Sequence, residues 1–310
     1  CISCSSGTDA LLMALMAWEI GPGDAVFTSP FTFIATAEVI QLLGAKPVFV
    51  DIDEKTFNID PEKLEQEIIR IQRENQFNPK AIIPVDLFGL PADYLKIESI
   101  ATKHGLFLLE DAAQSFGGSV GEKMAGSFGD MAATSFFPAK PLGCYGDGGA
   151  IFTNNDLIAE KLISIRIHGK GENKYDNVRI GINGRLDTFQ AAILLGKLTI
   201  FPSEFEMRNL VASQYTEKLL DKVVTPFIPE NYKSVWAQYS VLTESSEHRE
   251  QIQKILQTQG IPTAIYYPKP LHLQMTFKEL GYRKGDFQVS ELVSDRILSL
   301  PMHPYLSESD

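Results

Sequence analysis

Cysteine is scarce in this chain: 3 in 310 residues, at Cys1, Cys4 and Cys144. So sparse and odd a set argues against a disulfide framework and for a reducing compartment, so a cytoplasmic location is expected. No histidine stands near Cys1 and Cys4 at ligand spacing, and His272 and His303 are far from any paired cysteines, so no metal site is expected. Long apolar runs are missing as well. None reaches the roughly 20 residues of a membrane helix, and no basic segment leads into an apolar one, so neither a span nor a signal peptide is read. Positive charge is in deficit. The formal net charge is -11, without the clustered Lys and Arg that a phosphate backbone demands, which argues against a nucleic-acid partner. Neither the Gly-x-Gly-x-x-Gly fingerprint nor a Gly-Lys-Ser/Thr ending follows the first strand, so dinucleotide and P-loop readings are unsupported there.

What is present is a globular composition, 44% hydrophobic and 22% charged, enough for one large domain with a smaller companion. Apolar, β-rich runs at 25–28, 47–50, 81–85, 106–109, 132–136 and 150–153 alternate with amphipathic stretches at 9–18, 36–43, 61–73 and 93–104. That alternation predicts an α/β fold with a mostly parallel sheet covered by helices. Ser6 or Thr8 can cap the first helix, and Asp9 suits its positive end. A helix over 186–198 is expected to break or bend at Phe201-Pro202. Beyond it come a helix at 206–220, a strand at 235–242, a helix at 249–259 and a short strand at 263–267. The division expected is a large domain over 1–200 and a small α+β domain over 201–310. Because Cys1 to Ser3 reads as a strand already under way, further sequence is expected before it.

Lys140 lies in Ser135-Phe-Phe-Pro-Ala-Lys140-Pro-Leu-Gly, between an apolar strand and a glycine-rich loop. An isolated lysine in a loop is most often a surface residue. Aromatic surroundings would desolvate it and lower its ammonium pKa, as an amine nucleophile requires, and Pro141 restricts the backbone beside it. Asp111 ends a buried strand, where open α/β sheets place their ligands. There it either caps the following turn or meets a cation, such as the protonated nitrogen of a cofactor ring. Gln114 follows one turn later, placed to hydrogen-bond the same ring. Ser5-Ser6-Gly7-Thr8, at a strand-to-helix turn, makes an anion site or simply a structural cap. Phe31 and Phe33 are candidates for ring stacking or for core. Ser135 and Asn183 are donors of the kind a phosphate collects. Arg166, His168, Arg179 and Arg185 concentrate positive groups, either as surface ion pairs or as a pocket for substrate anions.

In Ser5 to Leu11, Glu110-Asp-Ala-Ala-Gln114, Ser135 to Lys140 and Gly181-Ile-Asn-Gly-Arg185, the sequence resembles the DegT/DnrJ/EryC1/StrS sugar aminotransferases along essentially its whole length. The blocks Lys140 to Asn154, Arg185 to Ala192 and Leu300 to Tyr305 look most like the branch that aminates C3 of a UDP-linked 2-acetamido-3-keto-hexuronic acid with L-glutamate. The resemblance implies fold type I, with a seven-stranded sheet, and pyridoxal 5′-phosphate as cofactor. It makes Lys140 the residue bonded to the cofactor aldehyde, Asp111 the partner of the pyridine nitrogen and Gln114 the contact to the ring hydroxyl. Ser6, Gly7, Thr8 and Ser135 become phosphate ligands and Phe33 the stacking aromatic. Asn183 would reach the cofactor of a neighbouring subunit, which implies a homodimer with shared sites. Arg166, His168, Arg185, Tyr267 and His303 are the expected substrate contacts. Tyr266 stands where near relatives commonly have histidine, which leaves the shape of the sugar pocket open. Related dehydratases carry histidine at the aldehyde-bonding position, so Lys140 favours transamination. A C4-keto-sugar substrate is the alternative.

Overall fold

The computed structural model describes residues 1–173 and 175–307. Its first half runs β1 (Ile2–Cys4), α1 (Gly7–Ala17), β2 (Asp24–Thr28), α2 (Ala35–Leu42), β3 (Lys46–Phe49), α3 (Pro61–Glu74) and β4 (Asn78–Ile83). Then come α4 (Tyr94–His104), β5 (Phe107–Asp111), the two-residue strands β6 (Ser119–Val120) and β7 (Lys123–Met124), β8 (Met131–Ser135), β9 (Gly149–Phe152) and α5 (Asp156–Ile165). The remainder is α6 (Thr188–Leu219), β10 (Tyr232–Lys233), β11 (Tyr239–Leu242), α7 (Ser246–Thr258), α8 (Gln288–Arg296) and β12 (Ile297–Leu300).

Seven strands form the main sheet in the order β1-β9-β8-β5-β4-β2-β3. The pairs β2/β3, β2/β4, β4/β5 and β5/β8 are parallel, and only β9 runs antiparallel to its neighbours β8 and β1. Successive side chains of a strand face opposite sides, and both sides here are covered. Val26, Ala81, Leu109 and Met131 pack under α1, α2 and α5. Ala25, Phe27, Ile82 and Leu108 pack under α3 and α4. This explains the nearly unbroken apolar runs, since strands buried on both faces lose the polar alternation of an open sheet.

Capping chemistry sets the helix ends that matter for the site. Ser6 caps α1, its hydroxyl oxygen accepting the Asp9 N–H at 3.0 Å, so of the two candidate caps Ser6 is the one used. The N-terminus of α8 is held from outside its own segment: Asp51 accepts the N–H groups of Val289 and Ser290, each at 3.0 Å, and the Ser290 hydroxyl at 2.6 Å. That contact docks the C-terminal region onto the loop after β3.

Three expectations need correction. The helices at 186–198 and 206–220 are one helix, α6, which runs through Pro202 and across residue 200. Proline removes one N–H of the ladder, and the turns on either side hold the helix through it. The strand expected at 235–242 is shorter, Tyr239–Leu242, because Trp236 takes a positive φ of 53° and turns the chain before it. The expected strand at 263–267 is absent; only Ala264 pairs, with Ser299 of β12, and β12 is the true partner of β11. Among the described residues no helix is long and apolar enough to cross a membrane.

Candidate active site

The carboxyl ends of β5 and β8, the N-terminus of α1 and the loops before α2 and after β8 surround a cavity of about 480 Å³. This volume suits a cofactor-sized ligand. Lys140 and Asp111 both line it. Lys140 is half-buried on the loop after β8, where its own N–H donates to Phe137 O at 2.8 Å. The loop is closed by Cys144, a buried residue whose thiol donates to Phe136 O at 3.0 Å. Desolvation pushes the Lys140 ammonium below the ordinary lysine range, and the Asp111 carboxylate opposes that push without cancelling it.

Asp111 is 4% exposed. Burial raises its pKa, and the Thr36 hydroxyl, the Ala113 N–H and the charge of Lys140 hold the rise in check. Oδ2 accepts from Thr36 Oγ1 at 2.8 Å and Oδ1 from the Ala113 N–H at 3.2 Å. The two sequence readings of Asp111 are therefore both realised in part, since one oxygen caps the following turn. A carboxylate has about four acceptor sites, so capacity remains for a cation in the cavity.

Gln114 is 3% exposed, and its Oε1 accepts the Phe88 N–H at 2.8 Å. With the oxygen committed, the amide NH₂ is the end left to point elsewhere, and it reaches Tyr267 Oη at 3.4 Å on the cavity wall. The residue is thus a donor of fixed orientation, matched to an anionic ring oxygen. Phe88 itself adopts a φ of +59°, a conformation uncommon outside glycine, in the turn that carries this N–H.

Ser6, Gly7 and Thr8 line the opposite end of the cavity beside Ser135. A Cβ on Gly7 would lie 2.6 Å from Ser135 Cβ, so only glycine lets β8 approach the first turn of α1. Asp9 and Ala10 give their N–H groups to Ser6, so it is Gly7 and Thr8, at the positive end of the helix dipole, whose N–H groups could receive an anion.

Phe31 and Phe33 separate. Phe31 is 1% exposed and packs edge-on to Phe57, Phe88 and Tyr267, whereas Phe33 is 55% exposed and lines the cavity. Tyr266 and Tyr267 line it too. Asn183, His168, Arg179, Arg185 and His303 are exposed and outside the cavity walls of their own chain. Asn183 Oδ1 accepts from Arg185 Nε at 3.2 Å, and His303 Nδ1 accepts the Tyr305 N–H. Arg166 donates to Ser3 O at 2.9 Å, holding β1. Sequence reasoning missed Thr36, Phe88, Asp147 and Gln238 at the site. Thr36 read as helix, and no local pattern marks the other three.

The residues fit pyridoxal 5′-phosphate at each of its polar groups: the phosphate at α1, the ring nitrogen at Asp111, the ring oxygen at Gln114 and the aldehyde at Lys140. An amine whose pKa burial lowers, in one cavity with a carboxylate that has room for a ring cation, places the chain among the pyridoxal phosphate-dependent aminotransferases of fold type I. More narrowly, it belongs to the DegT/DnrJ/EryC1/StrS aminotransferase family, whose profile matches residues 1–310. It is 49% identical, over 99% of its length and 82% of the relative's, to the UDP-2-acetamido-2-deoxy-3-oxo-D-glucuronate aminotransferase of Pseudomonas aeruginosa. A solved family member from Brucella abortus matches with a TM-score of 0.97 and 56% identity, covering 100% of this chain and 82% of that one. A Bacillus subtilis structure with bound PMP matches with a TM-score of 0.88 and 31% identity, over 99% of this chain and 69% of that one.

Proposed function

We propose that the protein transfers the amino group of L-glutamate to C3 of a UDP-linked 2-acetamido-3-keto-hexuronic acid, supplying polysaccharide or glycan precursors in the cytoplasm. The observation that carries transamination is the pairing of Lys140 with Asp111 in one cavity, beside an amide donor locked by Phe88. The likeness to the Pseudomonas aeruginosa enzyme supports the choice of sugar.

Bound pyridoxal phosphate supplies an electron sink conjugated to the reacting carbon. The chain's residues do the rest. Asp111 holds the proton at the ring nitrogen, and Gln114 donates to the ring oxygen. The first turn of α1, with Ser135, holds the phosphate. Lys140, whose ammonium burial holds below the ordinary lysine range, is placed to take a proton from the substrate carbon and deliver it to C4′, a role worth about 10²–10⁴ in rate. Phe33, Tyr266 and Tyr267 wall the cavity and keep water from the reacting atoms.

A homodimer completes this reading. Ile180 and Phe189 are each 85% exposed, and Leu195, Leu198 and Ile200 on α6 are also exposed. Soluble monomers seldom leave so much apolar surface uncovered. Asn183 and Arg185 lie beside these residues in sequence and face away from their own cavity, so a second copy is the natural recipient of their side chains. In that arrangement Arg185 and His168 serve substrate anions across the interface, and Tyr267 serves the sugar from within.

The cofactor-loaded protein is expected to absorb near ~420 nm, a band that Lys140→Ala abolishes. Incubation with glutamate and a panel of 3-keto and 4-keto nucleotide sugars, read by product mass, tests the substrate. Amination confined to 4-keto sugars would move the reading to C4. Turnover of simple keto acids with no keto-sugar accepted would overturn it.

A further inference from the structure

Behind the cavity, on the opposite face of β5 from Asp111, lies a second pair of acids that the reaction does not use. Asp86 and Glu110 are both 0% exposed. Asp86 Oδ1 accepts the Ala92 N–H at 2.9 Å and the Tyr94 hydroxyl at 2.8 Å, and Oδ2 accepts the Ser115 hydroxyl at 2.6 Å. Glu110 accepts the Gly126 N–H at 2.7 Å and the Phe128 N–H at 2.9 Å. The backbone brings the two together: the Asp86 N–H donates to Asp111 O at 3.1 Å, and Tyr94, which donates to Asp86, stacks on Phe128, whose N–H donates to Glu110. Titratable neighbours facing them are Tyr94 from α4 and Tyr232 from β10, with Asp111 on the other face of β5. Among the described residues no Lys, Arg or His forms an ion pair with either acid.

Two neighbouring carboxyls, both out of water and without a cation, repel when both are ionised, and a proton held between them relieves that repulsion. Burial pushes both acids up, Asp86 to about 6 and Glu110 well above the usual range, with the charge of Asp86 adding to the rise in Glu110. The location gives the pair a task. Asp86 begins the turn that carries Phe88, and through Ser115 it grips the residue next to Gln114. The Phe88 to Gln114 hydrogen bond joins the same two segments.

We propose that Asp86 and Glu110 share one proton, and that this proton clamps the turn at 86–94 to the segment at 111–115, making the pair a positioning device for Gln114. The inference rests on the assignment of Gln114 to the cofactor ring. Loss of the proton at alkaline pH places a second charge in the buried pair and slackens the clamp. In the native enzyme the cofactor dissociation constant is therefore expected to rise steeply above the pH at which the pair ionises. Asp86→Asn supplies an amide donor to Glu110 in place of the proton, so the variant is expected to bind cofactor with a dissociation constant that stays level over that range. Infrared difference spectra of the native holoenzyme between neutral and alkaline pH should show one protonated-carboxyl band that bleaches with the affinity. If no such band exists at neutral pH, the shared proton is refuted whether or not the variant folds. A band with no accompanying change in cofactor affinity, or parallel pH profiles in variant and parent, refutes the positioning role. A protein that binds no pyridoxal phosphate at all sinks the cofactor assignment and leaves the infrared result standing as the separate test of the pair.

Discussion

At the scale of single residues, the site is built from groups whose burial is costly until a ligand arrives. Asp111 shows this in its pH dependence. Its folded pKa is raised by burial, so the folded chain binds its proton more tightly than the unfolded chain does. Stability contributed by that proton is present at low pH and is lost as pH rises through the folded value. Above it, the ionised carboxylate burdens the cofactor-free fold. Asp111→Asn is therefore expected to leave the cofactor-free protein at least as heat-stable as the parent at neutral pH, while kcat falls by about 10²–10³, the usual loss when one preorganised electrostatic contact is removed. Thermal melts with and without cofactor, beside steady-state rates, check both halves. A cofactor-free variant that melts well below its parent at pH 7 would contradict the sign. The residues that the fold gathers around the cavity were legible in sequence because each stands in a short pattern: a lysine after an aromatic run, an acid at a strand end, small residues before a helix. Phe88 was not legible, since its part is played by a backbone N–H, which no side-chain pattern marks.

Elements fix where these groups meet. The first turn of α1 presents its N–H groups to the cavity only because β8 passes close behind Gly7. In Gly7→Ala the new methyl meets the side chain of Ser135, and relief moves either the helix or the strand, at a cost of about 1–3 kcal/mol. If half of that falls on phosphate binding, the cofactor binds about two- to tenfold more weakly, which a pyridoxal phosphate titration of the variant will read. An unchanged dissociation constant would mean that the phosphate is held elsewhere. The sheet and its covering helices were legible because strands buried on both faces keep an apolar run and the helices keep amphipathic spacing. Tertiary contacts overrode local signals further along. Pro202 marks a stop by itself, yet α6 continues through it. The apolar stretch at 263–267 has strand composition, but β11 pairs with β12 and leaves that stretch a single bridge. The two-residue strands β6, β7 and β10 are too short to carry a period.

For the whole molecule, the exposed apolar residues of α6 and the loop before it predict association. Phe189→Asp is expected to shift the protein from dimer toward monomer, measured by sedimentation, and to lower activity with it. A sharper test mixes two inactive variants, Lys140→Ala and Asn183→Ala, after dissociation. If Asn183 serves the partner's site, the mixed dimer holds one cavity with both native residues and activity returns. If Asn183 serves its own chain, every cavity stays defective and the mixture remains inactive.

Phe88 gives its N–H to Gln114 at 2.8 Å and receives the Gln238 N–H on its carbonyl at 3.4 Å. One residue is thus the common anchor of the segment that carries Gln114 and the segment that carries Gln238, two parts of one cavity wall. A lineage that needed a differently shaped cavity could not reach it by sliding this turn without releasing Gln114. Drift toward new substrates is channelled into side-chain exchange at 238, 266 and 267, while the main chain beneath stays still.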